Sequence, residues 1–286
     1  MYRTLTAAMS SPRARLEVRH RRLLYVGAMD LTPAGGGAHP EVPLGGGRLT
    51  QGVVRVGDTV RRPMGPHSPF VHRLLRHLEA VGFEGAPRLL GIDEQGREVL
   101  SFLDGWVPPN LSRFADHALV AAARLLRRFH DATAGSALAG RHEVVCHNDP
   151  SPCNAVFVDG HPAALIDFDH AAPGNRLRDV AYAGWLWTLS ADGDAPPVAA
   201  QARRLRLMAE TYGIREPTMV FDAVLRRQEE NRNAALARAG SPDRAVAEYA
   251  RASAAWQREQ MDWLRANAGE FRTVLSSRER GSAPAR

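Results

Sequence analysis

Between residues 41 and 104, apolar and polar positions fall into short runs broken by turn residues; beyond them a helical period prevails. Val53-Val54-Arg55-Val56, the turn pair Gly57-Asp58 and Thr59-Val60-Arg61-Arg62, closed by Pro63, predict a β-hairpin. Ser68-Pro69 then supplies an N-cap and a first-turn proline. Val71, Leu74, Leu75 and Leu78 follow at i, i+3, i+4 and i+7, and Gly82 closes the segment, so one helix interrupts the strands. Leu89-Leu90-Gly91-Ile92 and Glu98-Val99-Leu100-Ser101-Phe102-Leu103 flank Asp93 to Arg97 and predict a second hairpin. Gly105 and the pair Pro108-Pro109 mark a hinge after it.

Helical periodicity covers Ala118 to Asp131, Ala199 to Tyr212, Thr218 to Ala239 and Arg244 to Ala268. One non-helical insert breaks this pattern, from Val144 to Asp169, with polar, proline-stiffened residues between two short apolar strands. Tyr182, Trp185 and Trp187 follow it at near-helical spacing and read as core.

The chain has 286 residues, of which 44% are apolar and 24% charged, enough for a sizeable core in one large or two smaller domains. Nothing in it approaches the roughly 18 to 20 uncharged apolar residues of a membrane helix. Two cysteines, Cys146 and Cys153, are too few for a disulfide framework and their spacing fits no common zinc site, so both read as packing residues of a cytoplasmic protein. The formal charge of +6 belongs almost wholly to residues 1–28, where six arginines face one acid. The body is close to neutral, so neither nucleic acid nor a membrane surface is an expected partner. Residues 1–40 lack convincing periodicity and read as a basic tail, or as sequence upstream of a true start at Met29. All 37 basic residues are arginine, and none is lysine.

The insert carries the chemistry. It reads Cys146-His147-Asn148-Asp149-Pro150-Ser151-Pro152-Cys153-Asn154, an apolar strand, a turn, and then Ala164-Leu165-Ile166-Asp167-Phe168-Asp169. Asp149 and Asn154 lie five residues apart on one loop, and Asp167 ends the next strand, so a hairpin brings oxygen donors together from both sides. Hard oxygen donors of this kind suit Mg²⁺, which keeps some waters and is completed by substrate phosphates. The same residue types also make ordinary polar turns. The acids after the apolar run of Leu165-Ile166 favour the metal reading.

His-x-Asp-x-x-x-x-Asn followed by Ile-Asp-Phe-Asp resembles the catalytic and metal-binding segments of the aminoglycoside phosphotransferase family, relatives of the protein kinases that phosphorylate small molecules. The likeness spans roughly residues 44–190 and extends to Gly174-Asn175-Arg176-Leu177-Arg178-Asp179. It implies an α+β, bilobal, protein-kinase-like fold: a small antiparallel-sheet lobe over residues 41–103 and a larger, mainly helical lobe over 104–286. It further implies that Asp149 takes the proton of an acceptor hydroxyl, and that Asn154 and Asp167 hold Mg²⁺ on the phosphates of ATP. Asp169 is either a further metal contact or a supporting acid. By the same resemblance Gly45, Gly46 and Gly47 form the turn over the nucleotide, and the segment from Ser101 through Leu103 meets adenine through its backbone. His147 and Asp179 would brace the loop without entering the chemistry.

The family's phosphate-holding lysine is missing. Arg61 or Arg62 must replace it; Arg61 shares a strand face with Thr59 and Arg62 with Val60, and matching the hairpin to the family favours Arg61. The acid expected to pair with it is Glu79, the only one on the helix, unless His72 occupies that place without an ion pair. The expected activity is ATP- and Mg²⁺-dependent transfer of a phosphoryl group to a hydroxyl of a small molecule, aminoglycoside-like or another amino-alcohol or sugar-bearing compound. Glu229 and Glu230 are candidates for meeting a cationic acceptor. The missing lysine motivates one alternative, an inactive nucleotide-binding pseudokinase with a regulatory role.

Overall fold

The computed structural model describes residues 39–44 and 52–277. Gly45, Gly46 and Gly47, and all but the last two residues of the basic tail, lie outside the described residues. Five antiparallel strands form one sheet in the order β1-β2-β3-β5-β4: β1 (Val42–Pro43), β2 (Val54–Val56), β3 (Thr59–Pro63), β4 (Leu89–Ile92) and β5 (Arg97–Ser101). Helix α1 (Ser68–Ala80) follows β3 and buries Val71, Leu74, Leu75 and Leu78, its predicted stripe. Ser68 is the first helical residue instead of the cap; its Oγ accepts from the Gly65 N–H at 2.9 Å.

The remainder is helical: α2 (Asp116–Thr133), α3 (Arg176–Thr188), α4 (Val198–Tyr212), α5 (Pro217–Arg238), α6 (Arg244–Ala266) and α7 (Ala268–Ser276). The sequence patterns missed α7 and gave no bounds for α3. Two small antiparallel ladders are set among these helices. One pairs β7 (Ala155–Val158) with β8 (His161–Leu165), and the other pairs β6 (Val144–Cys146) with β9 (Ala172–Gly174), a strand with only three residues and a proline to announce it.

One apolar core runs through the molecule, from Leu74 and Leu78 on α1 through Phe129 on α2 and Trp185 on α3 to Phe221 on α5 and Phe271 on α7. The segment after the sheet is anchored to the helical part where Trp106 and Phe157 exchange two backbone hydrogen bonds, at 2.9 and 2.7 Å. Gly105 permits this approach. Its φ is +148°, and a Cβ there would lie 2.6 Å from the Phe157 carbonyl oxygen. No helix among the described residues is long and apolar enough to cross a membrane.

Candidate active site

The loop between β6 and β7 is held from beneath by a fully buried acid on α3. Asp179 accepts from the backbone N–H of His147 at 2.6 Å and of Asn148 at 2.8 Å, and lies 3.0 Å from His130 Nε2 on α2. Tyr212 completes this arrangement, with its hydroxyl 2.6 Å from His130 Nδ1. Burial pushes the Asp179 carboxyl up, but the His130 bond and the two N–H donors outweigh it and hold the acid below its ordinary range. His130, Cys146 and Asp179 place ligand-type atoms within 4.8 Å of one another. That cluster is a brace by its bonding: Asp179 spends both oxygens on donors, and Cys146 Sγ, its thiol pushed well up by burial, donates to the Asn175 carbonyl at 3.2 Å.

His147 works in the same direction. One ring nitrogen, Nδ1, accepts from the Asp149 N–H at 3.3 Å, which leaves Nε2 to donate to the Ile166 carbonyl at 3.0 Å. Asn148 and Asp167 both adopt left-handed backbone, with φ of +65° and +64°. For non-glycine residues this costs about 1 kcal/mol each, and Asn and Asp tolerate it best. The two strained residues stand beside Asp149 and at the end of β8, where they re-aim the chain toward a common space.

Asp149 is pushed above the ordinary carboxylate range chiefly by burial, opposed by His147 and by hydrogen bonding from Tyr182. Burial and the Asp149 charge in turn push the Tyr182 phenol well up. Tyr182 therefore belongs to the site, whereas Trp185 and Trp187 are buried in the core as their spacing suggested. Asn154 donates its Nδ2 to the Asp149 carbonyl at 3.0 Å, so its Oδ1 is the atom left for a cation. The Asp167 and Asp169 carboxylates are 50% and 33% exposed, open enough to exchange partners.

The sheet contributes a cation to these acids. Arg62 pairs through Nη2 with Asp169, lies 3.9 Å from Asp167 through Nη1, and places Nε 2.9 Å from Glu98 Oε1. The register turns Arg62 toward these acids, and not the Arg61 that the resemblance favoured. Val60, packed against the core, and Arg62 share the face that turns toward α1 and the hairpin, while Arg61 turns to the other face, 3.3 Å from Thr59 Oγ1 and 3.5 Å from Asp93. Glu79 is likewise displaced as the partner: it is exposed on α1. The acid comes from β5, where Glu98 sits directly across from Arg62 and also takes His72 Nε2 at 2.6 Å. The sequence contained a signal for this, since Glu98 alternates with the buried Leu100 and must face inward with it.

Ser101 is tied to the strand ahead of it, accepting the Arg88 N–H on Oγ at 2.8 Å and donating its own N–H to the Arg88 carbonyl at 2.9 Å. Leu103 lies just beyond the strand end. The acids proposed to meet a cationic acceptor are taken up within the protein. Glu230 accepts from Arg178 at 2.5 Å and pairs with Arg227 at 3.3 Å, and Glu229 lies 3.8 Å from Arg265.

Residues 70–217 match the model of the phosphotransferase enzyme family, APH. The trifolitoxin immunity protein of Rhizobium leguminosarum bv. trifolii is 38% identical over 193 residues, covering 59% of this chain and 72% of that protein. Among solved structures, the gentamicin complex of APH(2'')-IIa superposes with a TM-score of 0.53 at 13% identity, over 78% of this chain and 93% of the other. ADP-bound aminoglycoside phosphotransferase APH(2'')-Ib gives 0.51 at 13% identity, over 79% and 94%. An ethanolamine kinase of Plasmodium vivax also gives 0.51 at 13% identity, over 78% and 80%. These likenesses establish a kinase-like fold.

Proposed function

Since this chain belongs to the phosphotransferase enzyme family, we propose that it moves the γ-phosphoryl group of ATP to a hydroxyl of a small molecule, with Asp149 accepting the hydroxyl proton. One observation carries this reading: Arg62 from the sheet meets Asp167 and Asp169 on the hairpin whose loop holds Asp149. A phosphate-type cation, metal-type carboxylates and a half-buried base thus share one site.

The oxygen donors fit Mg²⁺. Asn154 Oδ1, Asp167 and Asp169 are the hard ligands it prefers, and a guanidinium already lies against two of them as a cation would. When bound, Mg²⁺ would neutralise charge on the β- and γ-phosphates. Arg62 would turn from the carboxylates to a phosphate oxygen, with Glu98 and His72 retaining its guanidinium on the sheet side. Asp149, made more basic by burial, would orient the acceptor hydroxyl and receive its proton as the new O–P bond forms and the bond to ADP breaks. Residues 41–103 would be the nucleotide lobe, with Gly45 to Gly47 over the phosphates and Leu103 at the adenine, and residues from 104 onward the acceptor lobe. The work would be done in the cytoplasm, where ATP is supplied. Immunity, in the name of the trifolitoxin relative, suggests a biological setting in which phosphorylation disarms a toxic compound.

The experiment is Mg²⁺-dependent, acceptor-stimulated ADP release across a panel of hydroxyl compounds, with Asp149→Asn as control. Wild-type turnover falling about 10²- to 10⁴-fold in the variant, with nucleotide binding kept, is the expected outcome. Nucleotide binding without any turnover would favour the inactive regulatory alternative, and absence of nucleotide binding would remove both.

A further inference from the structure

Beside the proposed base stands a pair of arginines that share a single ion-paired carboxylate among the described residues. Arg178 on α3 donates through Nε to Asn148 Oδ1 at 2.7 Å, and Arg227 on α5 donates through Nη2 to the Asn148 carbonyl at 2.9 Å. Asn148 immediately precedes Asp149. The Arg227 guanidinium also lies 5.0 Å from the centre of the Tyr182 ring, whose hydroxyl serves Asp149. Both arginines share one carboxylate, Glu230, which is itself half exposed.

Arg227 is the unusual member. Its residue is 8% exposed, and its buried Nε has no hydrogen-bond partner among the described residues. Burial disfavours its charge, and the Arg178 charge beside it adds to the penalty. A buried guanidinium that shares its carboxylate and leaves Nε unpaired among the described residues, placed one residue from the base, is costly unless something completes it. Arginine presents parallel N–H donors that match a terminal oxyanion in a two-point contact.

Taking the phosphotransfer reading as its premise, we propose that Arg227 and Arg178 form an oxyanion subsite, and that the acceptor carries a carboxylate or phosphate group near the hydroxyl to be phosphorylated. This reverses the sequence expectation of a cationic acceptor, because Glu230 is spent on the arginines. Arg227 recognises charge, and its bond to the Asn148 carbonyl ties occupancy of that subsite to the placement of Asp149.

The test uses the full-length protein and hydroxyl compounds matched in skeleton: glycerate, glycerophosphate and aminopropanediol, then gluconate and glucamine. ADP release should give the oxyanion members a kcat/KM at least about 10-fold above the amine members, the return for one charge-assisted contact. Arg227→Met should erase that ratio mainly through KM, and Arg227→Lys should restore part of it. The relative rates of glycerate and glycerophosphate separate the two oxyanion sources. In parallel, malonate is titrated into isotope-labelled protein and followed through the arginine Nε–H resonances. Shifts confined to Arg227 and Arg178 support the subsite. Preference for the amines, or a ratio unchanged in Arg227→Met while kcat falls for every acceptor, would reduce Arg227 to a brace and overturn the proposal. If none of these compounds is phosphorylated, malonate alone decides, and unmoved resonances overturn the subsite. Failure of the phosphotransfer premise is registered separately, as loss of Mg²⁺-ATP binding.

Discussion

Asp179 illustrates how one buried side chain positions the loop that carries the proposed base. It accepts from two consecutive backbone N–H groups and from His130, so removing its charge leaves three donors competing for one amide oxygen. Asp179→Asn should lower stability at neutral pH by about 3 kcal/mol, the upper end of the cost of leaving buried donors without their acceptor. The pH dependence follows from the direction of its shift. The folded acid titrates below its unfolded value, so its contribution is complete above the unfolded value and is lost as pH falls through the folded one. Urea midpoints of wild type and variant should therefore differ most near neutrality and converge in acid. A gap that stays constant into strong acid would show that the loss comes from packing instead of charge.

At the scale of elements, the β3–β5 ladder supplies the arginine–acid pair that a strand and a helix were expected to supply. Arg62 and Glu98 are direct cross-strand partners, so their pairing is fixed by sheet register and does not depend on where α1 sits. Arg62→Met should weaken nucleotide binding about 10- to 100-fold, read by titration calorimetry, with Arg62→Lys intermediate. Glu98→Gln should also weaken it, for a different reason: without its acid, Arg62 leans entirely on Asp169 and Asp167 and competes more strongly with the metal. An Arg62→Met protein that binds nucleotide as wild type does would remove this residue from the site.

These elements also show what could be read in advance. The hairpins and the apolar stripes of α1, α2, α4, α5 and α6 were legible because each buries one face at a fixed period. So was the loop of Asp149 and Asn154, because proline, asparagine and aspartate cluster there between apolar strands. The choice of Arg62 over Arg61 was encoded in strand parity, through Val60 and Leu100, but the resemblance pointed to the other residue. Arg227 could have been noticed as a charge three residues after Val224 on the apolar stripe of α5. Its partners could not, because Asn148, Arg178 and Tyr182 reach it only through packing of α3 against α5, which no local pattern records.

On the scale of the whole molecule, Arg62 is a bridge: its guanidinium holds Glu98 in the sheet and Asp169 in the helical part's hairpin at once. This ion pair ties the two together, along with the Trp106–Phe157 bridge and the apolar contacts of α1. Mg²⁺ alone would replace Arg62 at the carboxylates and leave the guanidinium without its second partner, so it exchanges one bridge for none. Mg²⁺ and ATP together would restore the link if they bind as proposed, with the metal held by Asn154, Asp167 and Asp169 and the phosphates by Arg62. Thermal unfolding should therefore respond little to Mg²⁺ alone, modestly to ATP alone, and more than additively to both. At a free concentration about 100 times Kd the stabilisation is about 2.7 kcal/mol. For a chain of this size that corresponds to a rise in Tm of roughly 4 to 5 °C. In Arg62→Met the excess over additivity should shrink, since the hairpin acids would remain for the metal while the sheet would lose its cation for the phosphates. Equal responses to Mg²⁺ with and without ATP would mean that the carboxylates bind cations independently of the nucleotide, and that Arg62 spans the two parts of the molecule only as a structural ion pair.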